Sequence, residues 1–595
     1  MTFQDQGGGG GRPGQAQRAA TDFIVFGEIQ GINTRAARIG LDPRQAAWME
    51  NLQPIAPNKL QVVPHSLPPI ITESTPLLRA FFASINGIDW IILFQVDGSA
   101  RAVNLATNTA VIVAPAGTFA LPDLTQWRNE RVLIADPAAG YGTWDGTLFV
   151  NSGISPNIVV TNGGSGYLTP PTVTITGTGL GATATATVTA GSVTKVTLTN
   201  PGTNWLAGST PAITFTPTGG GSGAAATVVV WNQHPIPTLT TLAVFANRVW
   251  FAGARVLGWT GTSGFDDFNP ANAAGFLTIS DADLIHEITA LRSLNNFLYI
   301  FGDQSIKQIG SISVQTGSTI FTIVTLSSDQ GTTFMLTIQS YNRIVVFMNT
   351  VGVFGIFGAS VQKLSDDLDG VLDKINFSQA PVACVGDIHN IHCYLLLLLY
   401  EDPRPGRGTH PVIFVLQGQK WFPLTQAAGT YILSVLPEPT SKIFGSPDGQ
   451  AIAQYLGDPN TAVSWVFQTA LTANGNPVQG KKAIRTGIMA SVGDANTFVL
   501  EMESELGFDI FYTYQAFNTM TWANNSGGVF TWVNNVNGAF SWLAFGPAPM
   551  YLSVDDAGIY LGCTLSGSSV GLQIHTVAIE YQESGLWGTA RGALV

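Results

Sequence analysis

A polar turn holding Asn or Ser, followed by four to six apolar or β-branched residues, recurs along this chain. It is found at Asn86 (before WIILF), Asn129 (RVLIA), Asn247 (RVWFA), Asn296 (FLYIF), Asn342 (RIVVF), Asn390 (IHCYLLLLL) and Ser441 (KIFGS). Successive marks lie 43, 118, 49, 46, 48 and 51 residues apart. The long interval holds an insert of 82 residues at 151–232, and 36 residues remain once it is set aside. A unit of about 40–50 residues made of several short strands cannot bury both of its faces alone, so such units stack around an axis. Seven marks predict an all-β fold with a β-propeller body of six to eight blades. A string of hairpins forming sandwiches is the alternative reading of the same pattern.

Composition agrees with many short strands. The chain has 595 residues, of which 66 are Gly and 32 Pro, and 45% are apolar. Only 11% are charged, against about 25% in an average soluble protein. So little charge leaves much of the surface neutral, as expected of a chain that hides surface in an assembly. The net charge is −12, with 26 basic against 38 acidic residues. Gripping a phosphate backbone requires clustered Lys and Arg, so tight DNA binding is not expected. The three cysteines, Cys384, Cys393 and Cys563, are too few and scattered for a disulfide framework. The N-terminus has no apolar core of a signal peptide, and the longest apolar run, Cys393 to Tyr400, is far short of a membrane span.

The chain divides by pattern into a Gly-rich tail at 1–20, an N-terminal segment and first blades at 21–150, the insert at 151–232, the propeller core at 233–455 and a strand-rich C-terminal region at 456–595. Asp42-Pro43-Arg44-Gln45 offers a cap and a first-turn proline for a short helix continuing through Trp48 and Leu52. Ser365-Asp366-Asp367 predicts a second helix, capped by Ser365, with Leu368, Val371, Leu372 and Ile375 on one face. The insert is an internal repeat. T-N-x-G, an aromatic residue (Tyr167, then Trp205), P-x-h-T-h-T (h, apolar) and G-A-x-A-T occur twice in the same order, which predicts a compact two-faced β-module. Near the C-terminus, Met520-Thr521-Trp522, Phe530-Thr531-Trp532 and Phe540-Ser541-Trp542 recur every ten residues with Asn and Gly between them, a meander pattern. Tyr167, Trp205, Trp522, Trp532 and Trp542 are candidate interaction aromatics, although packing under a small sheet accounts for the Trp triplicate more simply.

Four chemical motifs are present in outline, and each is declined. Gly475 to Lys481 matches a phosphate loop, but Lys482 stands where Ser or Thr would hold magnesium, and strands flank it. Gly567-Ser568-Ser569-Val570-Gly571 matches a nucleophile elbow, but the residues after it alternate as a strand. Cys384, Asp387, His389, His392 and Cys393 lie close together without the spacing of a zinc site. Asp367-Leu368-Asp369-Gly370 begins like a calcium loop but has Ser378 at its twelfth position. The sequence therefore predicts no catalytic residue, metal or cofactor.

Two stretches carry a family resemblance. Gly31-Ile32-Asn33-Thr34-Arg35 followed by DPRQAAWMEN (42–51) resembles the start of the tail nozzle proteins of short-tailed bacteriophages, also called packaged-DNA stabilisation proteins. Asn247 to Phe251, Phe265-Asp266-Asp267-Phe268, DLIHEITAL, FLYIFGDQSIKQIG and Val351 to Gly355 are similar, in that order, to the propeller core of the same family. The resemblance covers about 30–110 and 235–450; the insert and the Trp triplicate lie outside it. It implies a non-enzymatic virion component assembled in the host cytoplasm. Six copies would form a ring at the distal end of the tail, against an adaptor ring and in reach of fibres or spikes. That ring would retain packaged double-stranded DNA and pass it on infection without binding it tightly. Asp366, Asp367, Asp369 and Asp373 are candidate acidic channel or gate residues, with a solvated helix as the plainer reading. A phage-borne glycan-binding or depolymerising propeller is the alternative, and a cleft with two carboxylates at hydrolase spacing is what distinguishes it.

Overall fold

The computed structural model describes residues 21–586 apart from 207, 232–235, 237, 263, 280–283, 285, 316, 426–429, 436–440, 492–495, 508–509, 517–531, 534–538 and 541–547. The chain forms two compact units. One holds 66–419 and 427–457, and the other the N-terminal residues to 65, 420–426 and the chain from 458 onward. Residues 21–65 thus belong with the C-terminal region and not with the first blades.

The larger unit is a seven-bladed β-propeller with the small β-module inserted. Its blades are antiparallel sheets, and in the first six each strand pairs with the next in sequence. The first runs from Leu77–Ile85 to Thr109–Ala114, the second from Asp123–Trp127 to Phe149–Val150, and the third from Thr241–Phe245 to Gly275–Thr278. The fourth runs from Ile288–Leu294 to Ser318–Ser327 and the fifth from Gln339–Tyr341 to Ser360–Lys363. Val382–Ile388, Ile391–Asp402 and Gly408–Gln417 build the sixth. In the seventh, Thr430–Val435, Ile443–Ser446 and Ala451–Tyr455 are completed by Pro69–Thr72 from the other end of the unit. Around the axis the first strands of the second, third and fourth blades neighbour one another, as do those of the fifth, sixth, seventh and first. Apolar clusters lie between blades: Trp90, Ile92, Ile134 and Trp144 join the first to the second, and Phe301, Ile338 and Phe347 join the fourth to the fifth.

The recurring Asn marks the hairpin between a blade's first and second strands. At Asn86-Gly87, Ala246-Asn247, Asn295-Asn296, Asn342-Arg343 and His389-Asn390 both central residues have positive φ, between 47° and 79°. Two-residue turns of this kind match the twist of the flanking strands, and Asn tolerates the left-handed conformation better than other side chains. Neighbouring turns also touch. The Asn86 N–H donates to the Asn129 carbonyl (2.9 Å), and Asn295 Nδ2 donates to the Arg343 carbonyl (2.7 Å).

The smaller unit is a sandwich of two sheets. In one, Leu52–Ala56, Lys59–Val62, Gln573–Leu586, Gln479–Ser491 and Ala548–Gly558 lie side by side, with Thr21–Phe26 also on Gln573–Leu586. In the other the order is Ala46–Glu50, Val463–Thr469, Leu561–Ser569, Asn496–Ser504 and Ile510–Ala516. Alternate residues such as Ile488, Val577, Trp465 and Leu565 point inward and are buried.

Both predicted helices need correction. Residues 46–50 are a strand paired with Val463–Thr469. Asp42 accepts the Arg44 N–H (2.8 Å) in a local turn instead of capping a helix. Trp48, Met49 and Glu50 pair in unbroken register and are all buried, so this strand is covered on both faces, and its run of buried residues imitates the spacing of a helix. The second helix is only a 3-10 turn at Asp366–Leu368 and one α-turn at Asp369–Leu372. Ser365 does not cap it, because its Oγ accepts the Val353 N–H (3.0 Å).

Candidate functional site

The axis of the propeller is where its blades present polar side chains to one another. Asp123 opens the first strand of the second blade and is fully buried. It accepts from Arg79 of the first blade (3.3 Å), from both terminal nitrogens of Arg292 of the fourth (3.0 and 3.3 Å) and from the Thr241 hydroxyl of the third (2.6 Å). One carboxylate thereby ties together the first four blades. Burial by itself raises the Asp123 pKa, but the Arg292 and Arg79 guanidiniums outweigh it and hold the carboxyl below its ordinary range. Two arginines face one carboxylate, so the group carries a net charge of +1. Arg79 also donates to the Pro122 carbonyl, and Arg292 to those of Leu291 (2.7 Å) and Met335 (3.2 Å).

Above this group lies a cavity of about 390 Å³ lined by Arg79, Arg292, Ser293, Ser340, Phe82 and Val385 among others. A second hollow of about 470 Å³, lined by Leu77, Leu78, Val96 and Leu121, shares Leu336 and Val382 with it.

The insert is a pseudo-two-fold module, and its repeat explains it. The equivalent strands Thr172–Thr176 and Ala212–Thr216 pair antiparallel with each other, and Thr174 lies opposite its own equivalent, Thr214. Two further pairs exchange between repeats, Val159–Ser165 with Ser222–Thr227 and Thr183–Thr189 with Ser192–Asn200, while Thr172–Thr176 also pairs with Thr183–Thr189 inside the first repeat. Asn162 and Asn200 each accept the N–H two residues on, from Gly164 and Gly202 (2.9 Å each). Both glycines have positive φ and lie against backbone of the opposite repeat, where a Cβ would stand 2.3 Å from the Ser222 carbonyl oxygen or 2.5 Å from that of Leu180. The entry and exit of the module meet at an Ile154–Val230 bridge. Its exit residue Trp231 stacks on Tyr141 of the second blade at 5.0 Å.

Asp266 clamps the module to the third blade. It accepts from the Ser155 hydroxyl and from Asn157 Nδ2 (3.2 Å), and burial raises its pKa despite those bonds. A raised carboxyl pKa contributes stability that is full below the unfolded value of about 4 and is lost as pH rises through the folded value. Replacing Asp266 with Asn removes that loss. The melting temperature of wild type relative to D266N should therefore fall from pH 4 toward neutrality, and a pH-independent difference would refute the account.

The residues singled out from sequence are scattered. Asp366, Asp367, Asp369 and Asp373 follow the outermost strand of the fifth blade, where Lys363 pairs with Asp369 (2.6 Å) and lies 3.8 Å from Asp366. They are not among the residues lining the axial cavity. Tyr167 is 3% exposed and packs inside the module, so it offers no docking surface. Trp205 is half-buried over the backbone of Gly179 and Gly202. Trp532 lies in a short strand paired with Ala539–Phe540, and Trp522 and Trp542 fall outside the described residues.

The declined motifs have structural explanations. Lys481 is buried and donates to the carbonyls of Asn476 (2.9 Å), Gln479 (3.2 Å) and Ile559 (3.1 Å), which ties down the 475–480 turn. Ser569 accepts from Trp465 Nε1 (3.0 Å) inside the sandwich. Burial pushes the Cys393 thiol up to about 12 and raises that of Cys384 as well. Among the described residues no group of three or more His, Cys, Asp or Glu is placed to hold a metal ion.

No family model matches the chain. No curated protein matches it. Among solved structures, U3-55K aligns with 66% of this chain and 99% of its own at 8% identity, with a TM-score of 0.34. The WD40 repeats of RRP9 align with 66% of this chain and 98% of their own at 7% identity, with a TM-score of 0.33. The propeller assignment rests on the seven sheets and their pairing.

Proposed function

We propose that this chain is a structural virion protein, the tail nozzle of a short-tailed bacteriophage. Six copies form a ring on the tail adaptor that closes the distal channel, retains packaged DNA and releases it during infection. The observation that carries most weight is the combination of a seven-bladed propeller with a chain that is only 11% charged and has a net charge of −12. Neutral surface suits a part that is built into an assembly. The resemblance of 30–110 and 235–450 to nozzle proteins supports the same reading. The ion group tying four blades together at the propeller axis favours a path for DNA between copies over one through a single chain.

The test is stoichiometry and position in purified virions. Electron cryo-microscopy should place six copies of the 62.9-kDa chain at the tip of the tail, and five or twelve copies, or a position elsewhere, would sink the proposal. The assembled ring should also bind duplex DNA only weakly. A basic track making 6–10 phosphate contacts loses about 10³–10⁵ in affinity between 50 and 200 mM salt. The nozzle ring is expected to show no such dependence in a filter-binding titration.

A further inference from the structure

We infer that the outer face of the inserted module is a binding surface for an uncharged glycan. The module's four-stranded sheet has the order Ser192–Asn200, Thr183–Thr189, Thr172–Thr176 and Ala212–Thr216. Its register sets threonines side by side. Thr197, Thr185, Thr172 and Thr216 form one row across the four strands. Thr199, Thr183, Thr174 and Thr214 form the next. All eight are exposed except Thr197, which is half-buried. Between the rows Val173, Ala184, Leu198 and Phe215 turn the other way, into the core of the module. Sheet geometry spaces these hydroxyls about 4.8 Å apart across the strands and about 7 Å apart along them.

Two features set this face apart from an ordinary solvated sheet. The first is charge. Exposed sheet surfaces usually carry charged side chains that oppose association. Lys195 is the only charged residue of the 82 in 151–232, and it stands outside both rows, opposite Thr187. An ionic partner would find nothing to pair with there, so charge complementarity selects a neutral one. The second feature is the state of the hydroxyls. In the first row none has a hydrogen-bond partner among the described residues. In the second, Thr183 and Thr199 bond each other (2.7 Å), and Thr214 reaches the Thr174 carbonyl at 3.4 Å. A free hydroxyl both donates and accepts, and each threonine sets a methyl group beside it. A pyranose ring offers the same two elements, hydroxyls of both roles and C–H faces, and a linear glycan repeats them along its length. The surface belongs to the insert, and its ligand is independent of what the propeller builds.

The experiment titrates the full-length chain with four neutral hexasaccharides, of maltose, isomaltose, cellulose and chitin type, and with the anionic hexagalacturonate, read by calorimetry. At least one neutral hexasaccharide is expected to bind with a Kd below about 1 mM and more tightly than hexagalacturonate. Thr172→Val with Thr174→Val and Thr185→Val keeps the branched shape and removes three hydroxyls. That variant should melt as wild type does and bind at least about tenfold more weakly. Serine at the same three positions keeps the hydroxyls and should retain binding. Thr172→Lys, a single change in the middle of the first row, should block binding by itself. No neutral hexasaccharide bound, tighter binding of hexagalacturonate, or undiminished binding by the valine and lysine variants would each overturn the inference.

Discussion

Replacing Asp123 with Ala is expected to cost the propeller about 3–5 kcal/mol, the range for removing one member of a buried ion group and leaving its partners uncompensated. The geometry places this case toward the upper part of that range. Arg79 and Arg292 would face each other without a counter-charge, and the Thr241 hydroxyl and the Leu242 N–H would lose their acceptor. The first four blades would lose the side chain that links them. The measurement is the denaturant midpoint of the propeller transition, followed by tryptophan fluorescence. A companion variant distinguishes charge imbalance from a general need for polarity at the axis. Arg79→Met, Asp123→Leu and Arg292→Met together remove all three charges, and such replacements are often neutral or stabilising. The triple variant should therefore melt well above D123A. If D123A melts as wild type does, the ion group contributes nothing to closure of the ring.

That group was not legible in the sequence, and the reason is physical. Asp123 meets Arg79, Thr241 and Arg292 across separations of 44, 118 and 169 residues, and no local pattern marks a contact made only by the closing of a ring. The blades were legible because their signal is local. A two-residue turn with positive φ needs Asn or Gly, and the strand after it must be apolar to be buried between neighbours. The insert was legible as a repeat, but the exchange of strands between its halves was not, since a repeat in sequence does not say which copy a strand pairs with. The false helix at 42–52 shows the converse. The strand is covered on both faces, so buried residues follow one another without the period of two, and the resulting run matched a helix. The cap signal at Asp42 was real, but it serves a turn. The four aspartates after Ser365 look concentrated in sequence, yet they lie beyond an outer strand with Lys363 among them.

Placing charges at both Ile70 and Ile71 is expected to open the propeller. Pro69–Thr72 is the last strand of the seventh blade, and Thr72 pairs with Ala451, 379 residues away. Closing a loop of that length costs about 5 kcal/mol in chain entropy by the logarithmic rule. Few local features offset this. Ile70 and Ile71 pack on Leu77, Ile91, Leu93, Phe444 and Ile452 between the seventh and first blades. The following residue but one, Glu73, is buried and accepts from Gln95 (3.1 Å) and Arg101 (2.6 Å) of the first blade. Prolines are tolerated in this strand because it is an edge. Ile70 and Ile71 are half-buried, so in Ile70→Asp/Ile71→Asp about half of the 1.5–3 kcal/mol for a fully buried side chain is lost at each, and carboxylates must be partly desolvated besides. The sum is about 2–4 kcal/mol, a substantial share of the 5–15 kcal/mol that holds a typical domain together. The variant should lose its cooperative transition and be cut rapidly by protease between residues 66 and 76. The converse change should stabilise. Ile71 and Ile452 stand directly opposite each other, so Ile71→Cys with Ile452→Cys can bridge the seam under oxidising conditions, and a disulfide closing so long a loop contributes up to about 6 kcal/mol in the entropic account. A double-aspartate variant that melts like wild type, together with a disulfide that leaves the midpoint unchanged, would show that the ring is closed by its other contacts and that this strand only decorates the seventh blade.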